Sequence, residues 1–385
     1  MTARGERPLG LHPSRALIDG VERRGWWVVV RGGTIESVGP SRPSGTEEIE
    51  LPGADLVPGL VDLHSDCLET RLFPRSGVML PLRSALLDLD AEVAAHGITS
   101  HHLCVCLDVD ATKLRTLERA AETVTVLDGI RDDLRVDHRV HLRVEMTGDG
   151  LDIAASISAR PVVSMISYMV HLPGLGQFHS EESWWQYYRS RTGVGGEEVV
   201  REMLLRRRDR LGRLEDSRRA VATIARDRGL VLASHDDDTP EAARLAGRLG
   251  ATISEFPVNA ASAHAAVGAG LGVVMGGPNA RSGRSHHDNL SARDALRGGL
   301  LTALASDYHP PSLLAAAYQL AEDGACSWPE AMALVSANPA RLAGLADRGR
   351  IEQGRRADLV AVARRAGVPA AAQVWVAGKL VLGTS

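Results

Sequence analysis

The chain has 385 residues, 44% hydrophobic and 24% charged, with 14 histidines and a formal net charge of −4. That length suits a (β/α)₈ barrel with a small accessory domain, and the apolar share allows a large core. The mildly acidic balance gives no support to a nucleic-acid surface, four cysteines do not make a disulfide framework, and no apolar run reaches the length of a membrane span, so a cytoplasmic chain is expected. Residues 26–39 read WWVVVRGGTIESVG, two β-rich runs around Gly32-Gly33, which predicts a hairpin. Residues 354–383 have the same β character. Segments 1–54 and 346–385 are therefore expected to pair into one small β domain, read as a β-sandwich, around a catalytic barrel over 55–345. The middle alternates strand and helix patterns. Candidate strands are 55–64, 98–105, 140–145, 162–168, 230–235, 252–256, 272–277 and 302–307. Helical patterns fall at 88–97, 111–130, 239–249 and 291–298, with a long Arg-rich helical stretch at 195–225. Eight strands alternating with helices argue for a parallel barrel, and no G-x-G-x-x-G follows the first strand to suggest an open dinucleotide-binding sheet.

Histidines and carboxylates fall at strand ends. His64 and Asp66 close the first strand, Glu145 the third, His235 the fifth and Asp307 the eighth, while His171 just follows the fourth. All C-terminal strand ends of a parallel barrel share one rim, and the rim holds the active site. His64 and Asp66, two apart, face the same way and can grip one ion. Three histidines and three carboxylates suit divalent Zn or Mn, and a carboxylate such as Glu145 can bridge two ions. Singly, a strand-end His is more often a hydrogen-bonded core residue, and a strand-end Asp often caps a helix. Six coincidences of type and place favour the metal reading.

Other features carry less. His101-His102 lie early in their strand and read as core or surface, whereas His286 lies in a loop and is a better site candidate. Cys104 and Cys106 form a C-x-C without a second pair and read as buried thiols, and Cys67 as a packed thiol near the rim. The run 204–210, LLRRRDR, reads as a solvated helix face. The loop GGPNARSGRSHHDN at 276–289 places glycines, Asn279, Arg281, Ser285 and His286 on the rim, where backbone N–H groups and Arg can meet an anion. Arg75 follows the first strand and offers another cation.

PGLVDLHSD, the strand-end Glu145, His171, His235, Asp307 and the tail NPARLAGLADRGRIEQGRRADLVAV together resemble the amidohydrolase superfamily. The first motif is H-x-D where H-x-H is usual. With FPRSG, HGITS, VHLRVE, LASHDD and SDYHPPSLL, it is similar to the diphosphatase family of the carbon–phosphorus lyase pathway. That resemblance implies a metal-dependent hydrolase releasing pyrophosphate from α-D-ribose 1-methylphosphonate 5-triphosphate, with two divalent ions, zinc first. It also implies Asp307 as base, a phosphorylated small-molecule substrate near Arg75, Asn279, Arg281, Ser285, His286 and Tyr308, and a homo-oligomer. Another amidohydrolase reaction, such as amide or lactone hydrolysis or deamination, is the alternative. The family pattern has Asn, Lys and His where this chain has Cys67, Gly77 and Arg83, so Arg71, Arg75 or Arg83 would have to supply phosphate-binding charge. The superfamily also normally carries its last metal His on the sixth strand. Because His235 counts to the fifth, one strand is expected to be missed or one to be surplus.

Overall fold

The computed structural model describes residues 7–75, 77–178, 180–189, 196–283 and 289–383. Eight parallel strands, Leu60–Ser65, Ile98–Leu107, Asp137–Glu145, Val163–Met169, Val231–His235, Ile253–Glu255, Gly272–Gly276 and Leu301–Ala305, lie side by side in chain order. A parallel bridge between Ser65 and Asp307 closes the first strand on the eighth. The eight strands coincide with the eight predicted segments. None is missed or surplus, and His235 does end the fifth.

Ile98–Leu107 is buried along its whole length, as expected of a strand covered by its neighbours inside the barrel and by helices outside. The helices start where the sequence supplies caps. Thr116, Thr239, Asn259 and Ser291 each accept a backbone N–H from the first turn of the helix that follows. The predicted 195–225 helical stretch is two helices, Gly196–Asp209 and Leu214–Arg228, separated by one 3₁₀ turn at Leu211–Arg213. The main apolar cluster lies between barrel and helices. A smaller one, including Val61, Leu63, Met165, Ala233, Ile253 and Val274, fills the barrel interior. No described helix is long and apolar enough to cross a membrane.

The second sheet joins both chain ends. In spatial order it runs Lys379–Leu382, Val368–Val376, Leu359–Arg365, Glu47–Pro58, Leu9–Ile18, Trp27–Arg31 and Thr34–Gly39, with Val21–Arg23 paired on Leu9–Ile18. It forms one continuous, mostly antiparallel sheet. The predicted hairpin is present: Trp27–Arg31 and Thr34–Gly39 flank Gly32 and Gly33, both at positive φ as a tight two-residue turn requires. The predicted first barrel strand divides in two. Residues up to Pro58 belong to the small sheet and Leu60 begins the barrel. Gly59 marks the crossing, where a Cβ would lie 2.2 Å from Thr99 Oγ1. The small sheet is thus joined to His64 by a few residues of unbroken extended chain.

Candidate active site

The C-terminal strand ends surround a cavity of about 840 Å³. Its floor is built by His64, Asp66, Arg143, His235 and Asp307, with His171 at one side. Each of the three histidines has a carboxylate oxygen 3.0 Å from its Nδ1. His64 Nδ1 faces Glu255 Oε1 at 3.0 Å. His171 Nδ1 faces Glu145 Oε2 at 3.0 Å. His235 Nδ1 lies 3.0 Å from Asp236 Oδ2, and its Nε2 accepts from Arg143 Nη2 at 2.9 Å. A carboxylate only accepts and a guanidinium only donates. His64 and His171 therefore carry the proton on Nδ1 and the lone pair on Nε2, the carboxylate–histidine pairing that orients a metal-binding imidazole, whereas His235 Nδ1 and Asp236 Oδ2 are close without hydrogen-bond geometry. His64 Nε2 is buried and has no hydrogen-bond partner.

Backbone conformation fixes these positions. Asp236, Phe256 and Asp307 follow the ends of the fifth, sixth and eighth strands at φ of 57°, 52° and 57°. The left-handed region is costly for residues with a Cβ, and such strain concentrates at functional sites. Asp307 is also stitched across the barrel seam. Its N–H donates to His64 O at 2.8 Å, and its carbonyl accepts from Asp66 N at 2.6 Å. Burial, followed by the nearby Asp66 charge, pushes the Asp307 carboxyl up to about 6. Burial opposes ionisation of Asp66 too, but Arg115 and Arg143 outweigh it and hold that carboxyl well below the usual range. Arg115 Nη2 donates to one Asp66 oxygen at 2.8 Å, and Arg143 Nη1 to the other at 2.9 Å.

The donor set can accept a divalent ion. His64, His235 and Glu255 bring ligand atoms within 4.8 Å of one another, and so do His64, Cys104 and His141. The unpartnered His64 Nε2 and Glu255 Oε2 are the kind of buried polar atoms such an ion would satisfy. Both groups include His64, and Asp66 is held by two guanidinium groups.

The predicted residues divide clearly. His64, Asp66, His171, His235, Asp307, Asn279 and Tyr308 line the cavity. Glu145 does not. It sits behind His171, where its Oε2 faces the ring Nδ1 and its Oε1 accepts from the Thr147 N–H and hydroxyl. Arg75 and Arg281 are exposed and outside the cavity lining, because both side chains turn to solvent from the rim. Arg83 is exposed as well, and Arg71 pairs with Glu92. Ser285 and His286 lie outside the described residues. Asn279 Oδ1 accepts from Ala292 N at 2.8 Å, which ties its helix to the next. Cys67, Cys104 and Cys106 are buried free thiols, and burial raises Cys67 to about 12.

Several functional residues escaped the sequence reading. Glu255 ends the sixth strand, where the resemblance places a histidine, and it carried the same strand-end signal as Glu145. Arg143 faces inward between His141 and Glu145 on the third strand. Lys113 and Arg115, from the loop after the second strand, line the cavity. Arg207, expected on a solvated face, is buried. It pairs with Asp108 and donates to the His171 carbonyl at 3.0 Å.

Comparisons with known proteins point to the superfamily that the sequence motifs resemble. A model of the amidohydrolase family matches residues 213–382. The chain is 35% identical over 362 residues to the alpha-D-ribose 1-methylphosphonate 5-triphosphate diphosphatase of Escherichia coli (strain K12), covering 91% of this chain and 94% of that protein. In fold, it resembles N-acetyl-D-glucosamine-6-phosphate deacetylase from Mycobacterium smegmatis. The TM-score is 0.62 at 18% identity, over 98% of this chain and 100% of that one. Dihydropyrimidinase from Brevibacillus agri gives a TM-score of 0.63 at 13% identity, over 98% and 95% of the respective chains. The chain is a hydrolase of the amidohydrolase superfamily, related over nearly its whole length to the ribose methylphosphonate triphosphate diphosphatase.

Proposed function

We propose that this protein hydrolyses the 5-triphosphate of a ribosyl substrate of the α-D-ribose 1-methylphosphonate 5-triphosphate type, leaving the 5-phosphate and releasing pyrophosphate. The observation that carries the reading is the cavity floor: three imidazoles, two of them hydrogen-bonded through Nδ1 to buried carboxylates and the third with Asp236 3.0 Å from its Nδ1, beside Asp307, with three cations in the same cavity lining. The extensive identity to the bacterial diphosphatase supports the substrate class.

His64, His171 and His235 would hold a divalent ion, zinc first, with Asp307 beside them, Glu255 and Glu145 orienting His64 and His171, and Asp236 close to the His235 ring. Such an ion supplies Lewis acidity that lowers the pKa of water and polarises a phosphoryl oxygen. Asp307 takes the proton of the attacking water; its raised pKa suits a base working near neutrality. Oxygen from water bonds to the α-phosphorus as the bond to the α–β bridging oxygen breaks, and that oxygen leaves with the pyrophosphate. Arg143, held by Asp66, places a positive charge at the floor where negative charge grows on the phosphoryl oxygens. Asn279 and Tyr308 contact the substrate from the wall. The active form is a cytoplasmic homo-oligomer, which sedimentation of the purified protein tests.

The deciding experiment incubates the metal-loaded protein with the ribosyl triphosphate and measures pyrophosphate, with an amide, lactone and aminated-ring panel in parallel. Pyrophosphate release supports the reading. Ammonia or carboxylate release without pyrophosphate replaces it with another reaction of the superfamily.

A further inference from the structure

Three cations line the cavity, and two are already committed. Arg115 is clamped between Asp66 and Glu69, and Arg143 between Asp66 and His235. Lys113 is different. Among the described residues no carboxylate lies within ion-pair distance of its ammonium group, although it lines the same cavity and its charge helps keep Asp66 ionised. It is one of two lysines in the chain, the other being Lys379.

The loop that carries Lys113 is built to hold it still. Asp110 Oδ1 accepts from the Thr112 N–H at 2.9 Å and from its hydroxyl at 2.6 Å. Asp110 and Arg115 exchange backbone hydrogen bonds of 3.2 and 2.9 Å across the turn. Between them Leu114 sits at φ 54°, a conformation that costs a branched side chain free energy. Lys113 is thus presented from a rigid, strained turn and not from a free loop. Its ammonium stands 5.8 Å from the Tyr187 ring centre, and Gln177, Gln186 and Thr70 add neutral polar groups to the lining. The ammonium also stands in the field of Asp66 and Asp110, but among the described residues it forms no ion pair and keeps its donors for a phosphate chain.

We propose that Lys113 forms the subsite for the terminal diphosphate of the substrate, the part that departs as pyrophosphate. The assignment rests on the phosphate-ester reading above and adds a specificity-determining residue to it. The ammonium binds the β- and γ-phosphoryl oxygens, neutralises charge on the leaving group and leaves the floor residues to meet the α-phosphoryl group.

The test uses the full-length, metal-loaded protein freed of excess metal. Calorimetric titrations with pyrophosphate and with methylphosphonate are compared for wild type, Lys113→Met and Lys113→Arg, and metal content is measured for each. Loss of one charge-assisted contact predicts roughly a tenfold or greater loss of pyrophosphate affinity in Lys113→Met. Methylphosphonate affinity and metal content should stay within about twofold, and Lys113→Arg should regain most of the loss. Pyrophosphate affinity within about twofold of wild type in Lys113→Met overturns the assignment. So does an equal loss for both ligands accompanied by a fall in metal content, since Lys113 would then merely support the floor. If pyrophosphate binding depends on Lys113 while the ribosyl triphosphate is not hydrolysed, the subsite stands and the proposed reaction falls.

Discussion

Replacing Glu255 by Gln separates the orienting role of this buried carboxylate from its space-filling role. Glu255 is fully buried, with Oε1 3.0 Å from His64 Nδ1 and Oε2 3.7 Å from His141 Nε2. Gln has nearly the same shape and its carbonyl can still accept from His64, so the fold should lose less than about 1 kcal/mol. What disappears is the negative charge that makes His64 Nε2 a strong donor. Removing such a partner lowers metal affinity by roughly 10- to 100-fold, or about 1.4 to 2.8 kcal/mol. Competition against a chromogenic chelator measures the affinity, and thermal melting in excess chelator confirms the fold. An affinity within about twofold of wild type, in a protein that melts normally without metal, would refute the carboxylate–histidine reasoning for this ring. His64→Ala provides the upper limit of the effect.

Three further outcomes are expected. Asp307→Asn should lower kcat by about 10²-fold or more while metal content is retained, since the amide cannot take a proton; turnover near the wild-type rate would exclude Asp307 as base. Arg207→Met should destabilise the protein by about 3 to 5 kcal/mol in chemical denaturation, because it leaves Asp108 buried and unpaired. Adding Asp108→Asn should recover much of that loss, while the His171 carbonyl stays without its donor. Burial opposes ionisation of Asp137, but Arg139 and Arg348 outweigh it and hold its carboxyl down to about 2. A depressed carboxyl contributes stability that is full above its ordinary pKa and is lost as the pH falls through the folded value. Between about pH 5 and 2 the protein should therefore lose roughly 2 kcal/mol from this group, and Asp137→Asn should flatten that part of the melting-temperature profile.

The barrel and its rim were legible because parallel strands impose a rule that needs only strand ends. His64, His171, His235 and Asp307 follow from it, and the strand count was right even where the resemblance argued against it. Glu255 obeys the same rule, but a carboxylate in ISEF is inconspicuous without the His64 ring opposite it. Arg143 could not be read at all, since inward-facing arginines in a barrel become plausible only once Asp66 is seen to receive them. Arg75 and Arg281 fall outside the cavity lining: sequence places a residue on the rim but not the direction of a long side chain. Arg207 was misjudged because a charge run normally faces solvent, and nothing local announces that Asp108 is waiting beneath it. Lys113 depends on the left-handed turn at Leu114, for which a leucine gives no warning.

The small sheet also governs the order in which the molecule can be completed during synthesis. Its strand Glu47–Pro58 pairs on one side with Leu9–Ile18, available at once, and on the other with Leu359–Arg365. The ribosome must travel from residue 58 to residue 359 before that second partner begins to emerge, which at ~5–20 residues per second takes roughly 15 to 60 seconds. Throughout that interval the nascent chain carries an open strand edge continuous with the first barrel strand, a template for mispairing with another chain. Arrest of translation shortly before residue 359 should therefore yield a species that chaperones or neighbouring nascent chains capture through this edge, and release past residue 365 should abolish the capture.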